Sequence, residues 1–144
     1  MRLRRVGVDS NAFIYYLNAV EPYASIVRGL LERSHSGDLS VVASSLVVAE
    51  LLVKPLREGN QTTIQIVETL MYSTPGIRVY PVDNGVAWRA AEIRAQSRRM
   101  PLVDAVIEAT ALEQGCQAII GNDSQMAGQV PGIPYLLLDS YIRR

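Results

Sequence analysis

Short apolar runs alternate along the chain with longer segments in which apolar residues recur every three or four positions. Short runs of this kind are typical of strands, and the longer periodic segments are typical of helices. The short runs predict five strands, at residues 3–8, 39–43, 77–82, 118–120 and 135–138. The periodic segments between them predict six helices, at residues 10–17, 22–34, 46–52, 60–71, 86–98 and 102–114. The third of these helices is expected to end near Pro55 and Gly59.

Whole helices separate most of the predicted strands, which favours crossover connections and a parallel sheet. The runs at residues 41–43 and 118–120 are apolar throughout, as expected for strands that are covered on both faces. The predicted fold class is therefore α/β, an α/β/α sandwich around a central parallel sheet of about four to five strands. In open sheets of this kind, ligands bind beyond the carboxyl ends of the strands, so the candidate chemistry should lie there.

The composition limits the class of protein further and leaves the predicted fold unchanged. The 144 residues, 49% of them apolar and 19% charged, predict one globular domain over residues 1–144. No apolar run reaches the ~18 residues that cross a bilayer, and Asp9 and Asn11 interrupt the apolar stretch near the N-terminus, so we expect a cytoplasmic protein without a membrane partner. The single Cys116 and the single His35 exclude a disulfide, a cysteine-based zinc site and a two-histidine metal motif.

The charges balance, with 14 basic and 14 acidic residues, which excludes a broadly basic surface for nucleic acid. Lys54 is the only lysine, and the arginines occur partly in clusters. The cluster Arg94, Arg98 and Arg99 precedes the helix at 102–114 and could hold phosphate groups at the mouth of a site. The same cations could instead stabilise the C-terminal end of an exposed helix, and the sequence leaves both interpretations open.

Acidic residues occupy the places where a parallel sheet would bind ligands. Asp9 directly follows the first predicted strand, and Asp123 follows the fourth. Asp104 lies in the first turn of the helix at 102–114, and Glu50 is the only charge in the apolar run LVVAELLV. Each acid alone has a structural explanation: a helix cap, a favourable charge on the helix dipole, or an ion pair.

The joint pattern is harder to explain structurally, because these four acids can converge on one edge of the sheet. Carboxylates held close together repel, and some stay protonated unless a cation joins them. Ligand sets made only of oxygen favour Mg²⁺ or Mn²⁺, one or two ions in number. Such ions can hydrolyse a phosphodiester by polarising the phosphoryl oxygen and lowering the pKa of a bound water. No nucleophilic side chain and no histidine are then required.

Four segments of the chain together resemble the motifs of PIN-domain ribonucleases, in particular the VapC-like toxins of prokaryotic toxin–antitoxin pairs. The first is the strand followed by Asp9-Ser10-Asn11, and the second is the helix from Ser45 that contains Glu50. The third is the Pro-x-x-Asp-Ala-x-Ile-x-Ala-x-Ala pattern at residues 101–111. The fourth, a strand followed by Thr-x-Asp in the family, is Gly121-Asn122-Asp123 here. All four segments occur in the family's order.

The resemblance implies divalent-metal-dependent endonucleolytic cleavage of RNA. It implies that Asp9, Glu50, Asp104 and Asp123 form the acidic, metal-binding catalytic site, with Mg²⁺ or Mn²⁺ as the cofactor. Ser10 or Asn11 would then orient those carboxylates or contact the scissile phosphate. The family's usual partner is a small antitoxin whose tail covers the site, and many members form homodimers.

The chain departs from the family's pattern at four places. Gly121 replaces the threonine of the last motif, while Gln125 and Met126 replace an acid and an aromatic residue that often follow. Glu108 is an unusual choice one helical turn after Asp104, and it could be an outer-sphere fifth acid, a surface salt-bridge partner or a residue at the rim of the RNA site. These departures keep a second hypothesis open: a catalytically inactive PIN fold that serves as an RNA- or protein-binding module.

Overall fold

The computed structural model describes residues 2–126 and 132–142, which form one five-stranded parallel sheet flanked by helices. The strands are β1 (Arg5–Val8), β2 (Ser40–Ser44), β3 (Ile77–Tyr80), β4 (Ala118–Gly121) and β5 (Tyr135–Leu137). The helices are α1 (Ser10–Leu17), α2 (Tyr23–His35), α3 (Ser45–Glu58), α4 (Gln61–Ser73), α5 (Asn84–Gln96) and α6 (Leu102–Glu113). The α/β class and the parallel sheet predicted from the apolar pattern are confirmed.

The strand order is β3-β2-β1-β4-β5, which places β1 at the centre of the sheet. Its two neighbours lie in parallel register, with Arg5 opposite Ser40 on one side and Val8 opposite Ile120 on the other. The chain order reverses direction around β1, and in open α/β sheets a ligand site lies beyond the carboxyl ends of the strands at such a point. The carboxyl ends of β1 and β4 are therefore adjacent.

Most predicted elements are confirmed, and the differences lie at their ends. The first strand begins at Arg5 rather than at residue 3, because the side-chain oxygen of Gln117 accepts the N–H groups of Arg4 and Arg5 at 2.6 and 3.1 Å. Helix α3 runs to Glu58 and ends at Gly59, as predicted, with Pro55 inside its last turn. The last strand ends at Leu137, and residues 138–141 form a 3₁₀ turn that the pattern did not predict.

Apolar side chains pack on both faces of the sheet, because successive residues of a strand point to opposite sides. Ile120 joins the cluster that includes residues of α1 to α4, whereas Ile119 joins the cluster built on α5 and α6. Helix α6 is buried over the seven consecutive residues 105–111. It therefore forms much of one wall of the core. None of the helices in the described ranges is long and apolar enough to cross a membrane.

Helix α6 lies close against the sheet at Gly7, in the middle of β1. A Cβ atom placed on Gly7 would lie 2.7 Å from the Cβ of Ala111. Real Cβ atoms do not approach a neighbour so closely, so either the helix or the strand would have to move. The small side chains at these two positions set the distance between the central strand and the helix.

We expect Gly7→Ala to lower the free energy of unfolding by about 1–3 kcal/mol, the usual cost of overfilling a packed core. Urea denaturation measures this change. Gly29→Ala is the matched control, because nothing lies within 4 Å of a Cβ there and alanine favours a helix over glycine by about 0.5–1 kcal/mol. A Gly7→Ala protein as stable as the wild type would contradict the close contact with Ala111.

Candidate acidic active site

Asp9 stands where β1 ends and α1 begins, and it is 5% exposed. One carboxylate oxygen accepts the backbone N–H of Ser10 at 2.8 Å and so caps α1. The other accepts the hydroxyl of Tyr135 at 3.1 Å. Burial raises the pKa of Asp9, an effect that the nearby charge of Asp123 reinforces and that the two hydrogen bonds partly offset. Asp9 is thus a helix cap as well as a candidate acid of the site.

Asp123 follows the end of the neighbouring strand β4, one strand away from Asp9. Its backbone N–H donates to the hydroxyl of Tyr135 at 3.3 Å, and its carboxylate accepts the N–H of Gln125 at 3.0 Å. The side-chain oxygen of Asn11 accepts the N–H of Asn122 at 3.1 Å. The first turn of α1 is therefore tied to the loop that carries Asp123.

Asp104 approaches this edge from the first turn of α6. Burial, together with the charges of Asp9, Glu50 and Asp123 in that order, raises its pKa to about 6. Glu50 is an exposed residue of α3. The other three acids predicted from sequence therefore lie near enough to Asp104 to raise its pKa. Their convergence on one edge is a property of the structure, whereas their roles stay a prediction.

A cleft of about 530 Å³ opens beside the acids. Its lining includes Arg99, Asp104, Asp123 and Gln125. A smaller groove, of about 260 Å³, runs beside Glu50 between residues of α1 and α3. The cleft brings one cation next to two carboxylates, which is a suitable arrangement for a phosphate group between a metal and an arginine.

The three predicted phosphate-binding arginines differ in their surroundings. Arg99 lines the cleft. Arg94 donates to the backbone oxygens of Ser97 and Arg98 at 3.4 and 2.9 Å, so its guanidinium holds the end of α5. Arg98 is exposed. Arg99 is the arginine of this cluster that faces the same space as the acids.

Glu108 is fully buried, so the interpretations of this residue as a surface salt-bridge partner or a rim residue are wrong. Both carboxyl oxygens lack a hydrogen-bond partner among the described residues. Burial raises its pKa well above the usual range, and the charges of Asp9 and Asp104 raise it further. The sequence could not indicate this burial. A helix that is buried on all sides has no polar face, so its pattern does not separate buried from exposed positions.

The sequence did not indicate Tyr135, which contacts both strand-end acids. The tyrosine lies at the start of β5 and its hydroxyl lies between Asp9 and the backbone of Asp123. Nothing in the local pattern separates it from an ordinary strand aromatic residue. The only signal was indirect: a glycine, Gly121, at a motif position where a side chain is expected.

The donor atoms of this site suit a hard divalent cation. The four acids offer only oxygen atoms, and Glu108 adds a buried carboxyl group that has no hydrogen-bond partner among the described residues. Within residues 2–126 and 132–142, no three histidine, cysteine, aspartate or glutamate side chains are grouped tightly enough to hold a metal ion by themselves. Mg²⁺ usually keeps several waters and takes only one or two carboxylates beside a phosphate, so an open set of acids fits it.

The comparisons with known proteins agree with this geometry. The sequence profile of the PIN domain family matches residues 6–129. The fold is similar to VapBC2 from Rickettsia felis, solved with a promoter DNA fragment, at 14% identity and a TM-score of 0.72 over 92% of this chain and 98% of that chain. It is also similar to Mycobacterium tuberculosis VapC20, a sarcin–ricin loop cleaving toxin, at 22% identity and a TM-score of 0.66 over 90% of this chain and 99% of that chain.

A toxin–antitoxin complex from Klebsiella pneumoniae is a third similar structure, at 19% identity and a TM-score of 0.68 over 89% of this chain and 94% of that chain. No curated protein sequence matches the chain significantly. At these identities the solved structures establish a VapC-like fold, and they leave the activity to be argued from the site.

The raised pKa values predict how the stability of the metal-free protein depends on pH. Asp9, Asp104 and Glu108 all hold protons more tightly in the folded chain than in the unfolded chain. The free energy of unfolding should therefore fall as the pH rises from about 4 to about 7. Urea denaturation in EDTA at a series of pH values measures this slope.

Asp104→Asn should flatten the fall between about pH 4 and pH 6, because asparagine does not titrate. Glu113→Gln is the control: Glu113 pairs with Arg89 at the other end of α6, and the fall due to Asp9, Asp104 and Glu108 should persist in this variant. A wild-type stability that rises across this pH range would contradict the charge repulsion described above.

Proposed function

This chain belongs to the PIN domain family, and we propose that it is a divalent-metal-dependent endoribonuclease, the toxin of a toxin–antitoxin pair. The observation that carries the proposal is the convergence of Asp9, Glu50, Asp104 and Asp123 on one edge, where the last three border open grooves. A fold needs no such group of repelling acids for stability. A site that receives a cation and a phosphodiester does need them.

In this proposal the four acids hold Mg²⁺ or Mn²⁺, one or two ions. Such an ion supplies polarisation of the phosphoryl oxygen and a water of lowered pKa. The chain's own contribution is to fix the carboxylates before binding. The N–H of Ser10, at the start of α1, orients Asp9, while Asn11 holds the loop of Asp123 through Asn122. Glu108 acts as an outer-sphere acid behind Asp9 and Asp104.

RNA enters by the cleft that Arg99 borders. Because the chain has no net charge, its affinity for RNA has to come from local phosphate contacts of this kind. Arg98, exposed and next to Arg99 in the chain, is a second candidate phosphate contact. The choice of RNA over DNA is supported by the fold shared with the sarcin–ricin loop cleaving toxin.

We further propose a small antitoxin as the protein partner and a homodimer as the assembly. Structures of similar fold are toxin–antitoxin complexes, which supports the partner. The acids that face open grooves would attract a basic side chain from it. Trp88, which is 75% exposed, and Leu102 and Val103 at the start of α6 are large exposed apolar residues that a second copy could cover.

The alternative function is an inactive PIN fold that binds RNA or protein. The replacements at Gly121 and Gln125 motivate it. The four converging acids count against it, since their mutual repulsion has no use in a simple scaffold. Metal binding by the wild-type chain separates the two functions.

We expect the purified protein to cut RNA with Mg²⁺ or Mn²⁺ and not with EDTA. Asp104→Asn should reduce cleavage by at least about 100-fold, because metal polarisation contributes several kcal/mol to such a reaction. Gel analysis of RNA fragments measures the rate. Glu113→Gln on the same helix is the matched control and should cut like the wild type.

Metal titration calorimetry on the same proteins decides what a negative result means. Binding of Mn²⁺ without cleavage would indicate a narrower RNA target or a retained antitoxin. Wild-type protein that neither binds Mn²⁺ nor cuts RNA would refute the nuclease and support the binding module.

Glu108→Gln should weaken Mn²⁺ binding by about tenfold or more, the usual effect of losing an outer-sphere partner. Glutamine has nearly the same size as glutamate but carries no negative charge that could attract the cation. Calorimetry measures the affinity, with Glu113→Gln again as the control. If Glu108→Gln and the wild type bind Mn²⁺ with equal affinity, Glu108 has no role at the site and is only a buried neutral acid.

A further inference from the structure

The hydroxyl group of Tyr135 joins the two acids that end β1 and β4. It donates to a carboxylate oxygen of Asp9 at 3.1 Å and accepts the backbone N–H of Asp123 at 3.3 Å. Tyr135 and Asp9 are both buried, so water does not substitute for these contacts freely. One neutral group therefore fixes the orientation of a carboxylate and the position of the next strand's end.

Gly121 provides the space in which this hydroxyl lies. A Cβ atom on Gly121 would overlap the hydroxyl of Tyr135, would lie 2.8 Å from its Cζ, and would lie 3.0 Å from the Cβ of Asp9. The tyrosine hydroxyl thus occupies the place where a side chain of residue 121 would be. Tyr135 in this position therefore excludes any residue larger than glycine at 121.

This exclusion gives a physical reason for the glycine in the last motif. In the motif of the PIN family the position of Gly121 carries threonine, a residue with a short hydroxyl side chain. Here a hydroxyl comes from β5 on a longer side chain, and it occupies the place of a Cβ on residue 121, beside Asp9. Without Tyr135, a glycine at 121 would leave Oδ2 of Asp9 without a hydroxyl donor.

We propose that Tyr135 is a positioning residue of the acidic site, and that its hydroxyl, admitted by Gly121, replaces a side-chain hydroxyl at position 121. The inference rests on the proposed metal-dependent nuclease, whose first and last acids it orients. A neutral donor suits this task, because it holds Asp9 in place without cancelling the charge that a cation requires. Asn11 holds the loop of Asp123 as well, because its side-chain oxygen accepts the N–H of Asn122 at 3.1 Å.

The first test removes the hydroxyl alone. Tyr135→Phe should weaken Mn²⁺ binding and lower the kcat of RNA cleavage by about tenfold or more each, with the KM for RNA near that of the wild type. The amide of Asp123 should exchange with deuterium faster in NMR, because it loses its acceptor. Tyr80→Phe is the matched control: its hydroxyl accepts from Arg5 at 3.0 Å and touches none of these acids.

The second test exchanges the two positions. Gly121→Thr alone should lower the melting temperature and weaken Mn²⁺ binding, since Tyr135 fills the required space. Tyr135→Leu alone should lose the hydroxyl and behave like Tyr135→Phe at the site. The double variant Gly121→Thr/Tyr135→Leu should recover most of the Mn²⁺ affinity and the protection of the Asp123 amide that Tyr135→Leu loses.

The outcomes distinguish this inference from the proposed function. A wild-type protein that binds no Mn²⁺ and cuts no RNA would overturn the proposed function, and with it this role of Tyr135. If the wild type binds Mn²⁺ and Tyr135→Phe matches it in affinity, kcat and Asp123 exchange, the positioning role alone is overturned. A double variant no better than Tyr135→Leu would overturn the replacement of one hydroxyl by the other.

Discussion

The parallel register between β1 and β4 is the constraint on which the site depends. Val8 lies opposite Ile120, and the N–H of Asp9 donates to the oxygen of Ile120 at 2.9 Å, which extends the ladder by one residue. Both strands leave the sheet within a few residues of this bond. Their acids, Asp9 and Asp123, therefore emerge side by side, and α6 has only to bring Asp104 over the same edge. A slip of one residue would turn Asp9 to the opposite face of the sheet.

The fold holds these acids with neutral donors rather than with cations. The N–H groups of Ser10 and Gln125 and the hydroxyl of Tyr135 donate to their carboxylates. The ion pairs between described residues involve Asp38 and Glu113, and none of them involves a site acid. Negative charge is thus concentrated at one edge of a chain with no net charge, and the electrostatic repulsion there is left for a ligand to relieve.

Local chemistry explains which parts of the molecule could be predicted from the sequence. An acid directly after an apolar run marks the end of a strand, and this pattern alone assigned Asp9 and Asp123 to the ligand-binding edge of the sheet. The glycine signal likewise located the end of α3 near Gly59, and Pro55 lies inside the last turn of that helix. Two of the three interpretations of Glu108 put it at the surface, and both are wrong. The burial of a helix depends on the elements that pack against it, which its own sequence does not reveal.

The contact that sequence reasoning missed altogether is the one between β4 and β5. Tyr135 and Gly121 are 14 positions apart, and only the pairing of Ile119 with Tyr135 brings them together. Such a pairing of strands leaves no periodic trace in the chain. A glycine at a motif position shows that a side chain is missing, but it does not show which distant residue uses the space.

The burial of α6 has a consequence for the lifetime of the chain. Residues 105–111 cannot leave the core without exposing it, so α6 opens only when much of the domain unfolds. A cation or protein that contacts Asp104 in its first turn therefore binds the folded chain alone. At a concentration 100 times its dissociation constant, such a ligand adds about 2.7 kcal/mol to stability and reduces the unfolded population about 100-fold. Proteases that cut unfolded chains would then remove the free protein faster than the occupied one, and the supply of ligand would set its abundance.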